Sequence, residues 1–311
     1  TITDEFFDYD NSSINDFINF GHTSNSKTIF NKVFKLSPGS YFNYSKDQFN
    51  FYKYKKKENT LTALDENYFD SIIKESIKDK LNSDRPVGVF LSSGVDSSLI
   101  TQLSKNENSN LKTFSIGFEN KIYDESSLAK KFANSIQTKH YEKIINEKDL
   151  LNELMRIKGK FDEPITDPSL IPTLIMTRFA KSNGVDVCLS GDGGDELFGG
   201  YDYYTLMRYK LVYLNIPYMI RLGIEKLISL NSSHKYHLLK NFLSEGDIES
   251  SFTYLKSLKK DFFNVVNFDK KDLKLDDFKK YSSDSLNSIL NYDIDNNLID
   301  KTGKTHGIKF K

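Results

Sequence analysis

Val87-Gly88-Val89-Phe90-Leu91-Ser92-Ser93-Gly94-Val95-Asp96-Ser97-Ser98 joins an apolar run to a turn of small residues. The apolar run Val87 to Leu91 ends in a turn of small residues, and Leu99, Ile100 and Leu103 follow at helical spacing. A short apolar run reads as a buried strand, and the later recurrence reads as a helix. The unit is strand, tight turn, helix. Backbone N–H groups at a helix start have no partner within the helix and offer a place for an anion. Small side chains let the anion approach the backbone. Ser92, Ser97 and Ser98 add hydroxyl donors. This is not the phosphate loop that ends in lysine, because no lysine follows Gly94. Asp96 stands there instead. A bare carboxylate repels phosphates, and it makes sense if a magnesium ion sits between. The turn reads as a cradle for a metal-bound pyrophosphate group. Taken alone, it reads equally well as an N-cap at a plain strand-to-helix turn.

Working outward, Leu64, Tyr68, Ile72, Ile77 and Leu81 recur at near-helical spacing before this unit. After it, Thr113 to Phe118 is a second strand candidate, and Leu128, Phe132 and Ile136 mark a helix. Leu150 to Ile157 and Pro172 to Ala180 look helical, and Val185 to Leu189 is a third short strand. Strands alternating with helices imply an α/β fold, a parallel sheet with helices on both faces. Ligands of such sheets bind at the carboxyl ends of the strands. Beyond about residue 205 the chain reads as mostly helical, and from about Asp300 it is polar and unassigned.

A second loop follows the third strand: Ser190-Gly191-Asp192-Gly193-Gly194-Asp195-Glu196-Leu197-Phe198-Gly199-Gly200-Tyr201. Five glycines and three acids lie in the ten residues from Gly191 to Gly200. Glycines at this density point to unusual backbone angles or close approach to a ligand. Asp192, Asp195 and Glu196 could bind a hard cation or move a proton. The bland alternatives are a calcium loop, though the alternating acids of the EF-hand are absent, and a plain surface turn, which rarely needs five glycines.

Composition narrows the function. Basic and acidic residues balance at 43 each, which argues against a nucleic-acid partner. The single cysteine, Cys188, allows no disulfide framework within the chain and suits a reducing compartment. No apolar run approaches the ~20 residues of a membrane helix, and Thr1 to Glu5 lacks the features of a signal peptide. No membrane partner is expected, and the default compartment is the cytoplasm. Residues before about 55 read as strands and loops, from the short apolar pieces at Phe17, Ile18 and Phe20, at Thr28 to Phe30 and at Val33 to Leu36, with the Pro38-Gly39 turn. Lys53 and Lys55 to Lys57 mark a solvated linker. His234 and His237 read as a solvated helix face, and Tyr201, Tyr203 and Tyr204 as packing.

Together the two loops resemble the PP-loop ATP pyrophosphatases, whose fold is adenine nucleotide alpha hydrolase-like, and within them the asparagine synthetase family. The family's Ser-Gly-Gly-x-Asp-Ser stands here as Ser92-Ser93-Gly94-Val95-Asp96-Ser97, with Ser93 in place of a glycine. Ser190 to Tyr201 matches its second motif, and Phe161-Asp162-Glu163-Pro164 with Asp167-Pro168-Ser169 looks like its substrate-side segment. The resemblance covers about residues 8 to 298 and implies a mechanism. ATP and magnesium are the implied cofactors. ATP binds with its pyrophosphate in the loop of Ser92, Gly94, Ser97 and Ser98. Leu91, Ile116, Ser190 and Gly191 line the AMP part, and Asp96 and Asp195 hold magnesium. A carboxylate, aspartate in the founding members, attacks the α-phosphate, and ammonia then converts the acyl-adenylate to an amide. Asp192 stands where the family often has glutamate, with a role in the ammonia step.

The resemblance also implies a domain division. Residues 1–57 correspond to the tail of an Ntn-type glutaminase domain plus a linker, and 58–311 to the ATP-binding domain. Neither Thr1 nor Cys188 stands as the glutaminase nucleophile, so free ammonia, or glutamine hydrolysed on a partner chain, would supply nitrogen. A homodimer is a further expectation. Tyr292 to Leu298 resembles the start of a family segment that carries a phosphate-contacting lysine, which is not carried over to Lys301 or Lys304. Gly303-Lys304-Thr305 is not a Walker ending, because Leu298 stands where its glycine belongs. Two alternatives stay open: amide formation on another carboxylate, such as a sugar acid, and an inactive nucleotide-binding remnant. A PP-loop enzyme acting on tRNA is disfavoured by the second loop.

Overall fold

The structure, a computed structural model, describes residues 8–23, 26–54, 65–122, 124–161, 166–231 and 233–257. They divide between two compact units. Of these, residues 8–54 and 195–257 belong to one unit and residues 65–194 to the other.

In the first unit, α1 (Asn11–Phe20) opens on Asp10, whose carboxylate accepts from Ser12 N, and closes on Gly21 at φ 76°. An acidic N-cap and a left-handed glycine are strong helix brackets. The apolar pieces around Phe17, Ile18 and Phe20, expected as strand or loop, are therefore a helix. β1 (Ser40–Ser45) and β2 (Gln48–Lys53) form an antiparallel hairpin. Its Lys46-Asp47 turn has φ of 50° and 58°, the primed geometry that suits strand twist.

The second unit opens with α2 (Glu66–Leu81), capped by Asp65. The expected helical spacing holds there, although only Ile77 of its face is buried and Tyr68 and Ile72 are exposed. There follow β3 (Val87–Phe90), α3 (Val95–Glu107), β4 (Lys112–Phe118), α4 (Ser126–Ser135), β5 (Lys139–Ile145), α5 (Glu147–Ile157), α6 (Leu170–Ser182) and β6 (Val187–Leu189). The four strands are parallel in the order β5-β4-β3-β6. From β3 the chain steps one way to β4 and β5, then returns to the far side of β3. Right-handed crossovers put α3 and α4 on one face and the returning helices on the other. The cores agree. Leu91 packs with Ala129, Ala133 and Phe132 of α4, while Phe90 and Phe114 pack with Met176, Phe179 and Ala180 of α6. Both faces are covered, as the alternation predicts.

One strand is missing from the sequence reading. β5 pairs only with β4, at the edge of the sheet, so polar Lys139, His140, Glu142 and Lys143 are tolerated on it and its apolar signal is weak. Its inner side is still ordered by polar contacts. His140 lies 2.9 Å from Thr113 Oγ1 and 3.1 Å from Ser115 Oγ. Burial pulls the His140 pKa down, against the pull of Glu142.

Back in the first unit, α7 (Gly194–Phe198), α8 (Asp202–Leu214), α9 (Tyr218–Ile228), α10 (His234–Ser244) and α11 (Ile248–Lys256) supply the helical region expected after residue 205. Phe20 of α1 joins Tyr204, Met207, Phe242, Ile248 and Phe252 in one core. Among the described residues no helix is long and apolar enough to cross a membrane.

Candidate functional site

β3 and β6 are neighbours, with Val89 level with Leu189. The two loops therefore leave the sheet side by side at its carboxyl end. The strand order reverses at this point, which is where open α/β sheets bind ligands.

The first loop is built around Ser97, which is 6% exposed. Its Oγ accepts from Ser92 N at 3.2 Å and lies 2.8 Å from Ser92 Oγ. Ser92 O and Gly94 O are also in reach, at 3.3 and 3.1 Å. Ser92 Oγ in turn accepts from Gly94 N at 3.1 Å. The Ser97 hydroxyl, expected as a phosphate donor, is thus engaged in holding the loop closed. The helix begins at Gly94, whose carbonyl accepts from Ser98 N at 3.1 Å. Asp96 and Ser97 lie in the first turn of α3, where N–H groups lack intrahelical partners. Replacing Ser97 with alanine removes the loop's cross-link without adding bulk. A stability loss of about 1–2 kcal/mol is expected from thermal unfolding.

The second loop meets the first at two glycines. A Cβ on Gly191 would lie 2.8 Å from Ser97 N and 3.1 Å from Asp96 Cβ. A Cβ on Gly194 would collide with the Asp96 carboxylate, with Cγ at 2.5 Å and Oδ1 at 3.0 Å. The glycine density is therefore explained by close approach of this backbone to the start of α3. Gly193, at φ 91°, turns the chain between them. Asp192 is exposed and accepts from Ser190 Oγ at 2.8 Å.

The remaining candidates fall as follows. Leu91 is 2% exposed, and its N–H donates to Phe114 O at 2.8 Å. What it presents at the strand end is its carbonyl. Ile116 is half-buried on β4, two residues past the partner of Phe90. Asp195 begins the other unit, and its carbonyl accepts from Gly200 N at 3.0 Å. Glu196 is buried and accepts from Tyr201 Oη at 2.8 Å; the structure gives this acid of the second loop a packing role. The Tyr203 and Tyr204 rings lie 4.5 Å apart at a tilt of 53° in the same core, in keeping with packing. His237 is exposed and 3.3 Å from Asn241 Nδ2. Burial pushes the Cys188 thiol up to about 12, so it is chemically quiet. Glu125, which sequence reasoning does not single out, bonds to Ser93 of the first loop. Thr1, Lys55 to Lys57, Asp162-Glu163-Pro164 and the chain from Tyr292 through Lys304 lie outside the described residues.

Comparison with known proteins adds a family. The family model described as Asparagine synthase matches residues 69–311. The glutamine-hydrolyzing asparagine synthetase 1 of Bacillus subtilis (strain 168) is 36% identical over 200 residues, covering 63% of this chain and 32% of that protein. Asparagine synthetase B of Escherichia coli (strain K12), also glutamine-hydrolyzing, is 30% identical over 158 residues, covering 46% of this chain and 28% of that protein. The matched stretch thus spans about a third of the length of these relatives. An NH3-dependent NAD synthetase of Campylobacter jejuni aligns over 80% of this chain and 99% of its own at 16% identity, with a TM-score of 0.34.

Proposed function

The chain belongs to the asparagine synthase family, and on that premise we propose that it adenylates the side-chain carboxylate of aspartate with ATP and passes the acyl group to ammonia. The observation that carries this reading is the contact of Gly191 and Gly194 with Asp96 and Ser97. It sets the second loop against a helix start already suited to an anion.

The residues divide the work. The first turn of α3 and the loop of Ser92 to Ser98 take the pyrophosphate through backbone N–H groups. The Leu91 carbonyl, Ile116, Ser190 and Gly191 line the AMP part. Asp96 would hold magnesium, and Asp195 is a magnesium candidate by resemblance. Among the described residues no group of three or more His, Cys, Asp or Glu is set to hold a metal. The Asp96 carboxylate lies against Gly194 beside the α3 start, which fits an ion bound by one or two carboxylates, water and substrate phosphates. When bound, the ion would neutralise phosphate charge.

In the first step a carboxylate oxygen forms a bond to the α-phosphorus, and the bond to the β-phosphate oxygen breaks. Pyrophosphate leaves with the electron pair. In the second step the ammonia nitrogen attacks the acyl carbon and AMP departs. Asp192 is assigned to take the proton that nitrogen loses. Ser190 orients that carboxylate through its hydroxyl. Residues 1–57 are the tail of a glutaminase-type domain plus linker, and 58–311 the ligase domain. Ammonia comes from solution or from a glutaminase on the same protein or a partner chain.

Isotope transfer tests the reaction. Aspartate carrying ¹⁸O in its side-chain carboxylate is expected to deliver one ¹⁸O to AMP per amide formed. Label in inorganic phosphate, with ADP as co-product, would contradict adenylation. Label in AMP from a different carboxylate, with none from aspartate, would replace the acceptor and keep the chemistry.

A further inference from the structure

We propose that Glu125 is a positioning residue for the phosphate loop and acts through Ser93. The inference rests on the reading of Ser92 to Ser98 as that loop. Ser93 stands where the family motif has glycine, so its hydroxyl is an addition of this chain. That hydroxyl donates to the Glu125 carboxylate across 32 residues.

Glu125 is well placed to hold it. It occupies the N-cap of α4, yet its side chain makes no capping bond there. Asp124 takes that task, accepting from Ser126 N at 3.1 Å. The Glu125 carboxylate is thereby released from its own helix and reaches the loop. α4 is also a firm anchor. Ala129 and Ala133 are buried against Leu91, the residue that leads into the loop. Lys130, one turn on, holds Glu142 of β5 at 2.9 Å. Leu91 fixes one side of the loop through Phe114 O, and Ser97 fixes the other. Ser93 lies between them, at the tip, and the tie to Glu125 joins that tip to α4.

A hydrogen bond to a carboxylate belongs to the stronger class. A tip of small residues without it samples more conformations, and ordering them on binding lowers affinity. The tie therefore presets the N–H groups that meet phosphate. It also sets a negative charge beside an anion site, so its benefit is geometric. That separates two substitutions. Glu125→Gln keeps an acceptor for Ser93 and removes the charge. Glu125→Ala removes both.

Amide hydrogen exchange over residues 91–98 without nucleotide reads the tie by itself. Glu125→Ala and Ser93→Ala are each expected to speed exchange there about tenfold. Glu125→Gln is expected to change it little, and the double variant to match either single one. The magnesium–ATP Kd is expected to rise about fivefold in both alanine variants and to hold in Glu125→Gln. Unchanged exchange in Glu125→Ala, or fully additive effects, overturns the tie whether or not nucleotide binds. Faster exchange with an unaltered Kd overturns the positioning role. If the unmodified chain fails to bind magnesium–ATP at all, the phosphate-loop reading falls and the positioning role with it, while the exchange data still judge the tie.

Discussion

Gly191→Ala is expected to cut the adenylation rate by at least about 100-fold, the scale of a 1 Å misplacement near reacting groups. The added methyl would lie 2.8 Å from Ser97 N and 3.2 Å from Asp96 C. These are backbone atoms of a helix start, and they cannot swing aside as the end of a side chain can. The second loop must back away, and Ser190 and Asp192 move with it. Overpacking of this kind also costs about 1–3 kcal/mol of stability. The check is the rate of asparagine and AMP formation at saturating substrates, alongside thermal unfolding. A variant as fast as the parent would mean that the contact of the two loops has no part in the chemistry.

The largest stability effect is expected at Lys210, where substitution by methionine should cost about 3–5 kcal/mol, the combined scale of leaving three carbonyls without their charged donor. Lys210 is fully buried on α8. Its Nζ donates to Phe242 O at 3.0 Å, Leu243 O at 2.7 Å and Glu245 O at 2.8 Å. Three donors meet three acceptors, so the ammonium is satisfied. The acceptors cluster at the end of α10, where carbonyls lack intrahelical partners and the helix dipole favours a cation. Burial pulls the Lys210 pKa down to about 8, while Glu245 and Glu225 pull the other way. Methionine fills similar space but donates nothing, and leaves the carbonyls buried without their partner. Urea unfolding should show the midpoint fall, with Lys210→Arg losing less. Since Lys210 is outside the proposed site, the folded variant should keep its magnesium–ATP affinity.

Much of this was legible in the sequence, for physical reasons. Val87 to Leu91 is a buried strand with a small-residue turn, and both its period and its turn chemistry are local properties. The same holds for Ser190 to Gly194. That the two loops adjoin was legible only through the resemblance, because the pairing of β3 with β6 comes from a return crossover far along the chain. β5 escaped because an edge strand tolerates charge. α1 escaped because its signal lies in its caps, Asp10 and Gly21, more than in its apolar spacing. The tie from Glu125 to Ser93 is a tertiary contact between a helix cap and a loop 32 residues earlier, and no local pattern announces it. Glu196 shows the opposite error: an acid in a site-like motif whose side chain is buried beneath Tyr201. The hydroxyl of Ser97 reads as a ligand donor from its motif, and its bonds to Ser92 N and Ser92 Oγ, a role within the loop itself, are not written in that motif.

If the two loops form one adenylation site, labelled pyrophosphate exchanges into ATP. With magnesium present and no ammonia, that exchange is expected to depend on aspartate and to be lost in Gly191→Ala. Exchange that ignores every carboxylate offered, or its absence in a folded chain that binds magnesium–ATP, would contradict such a site.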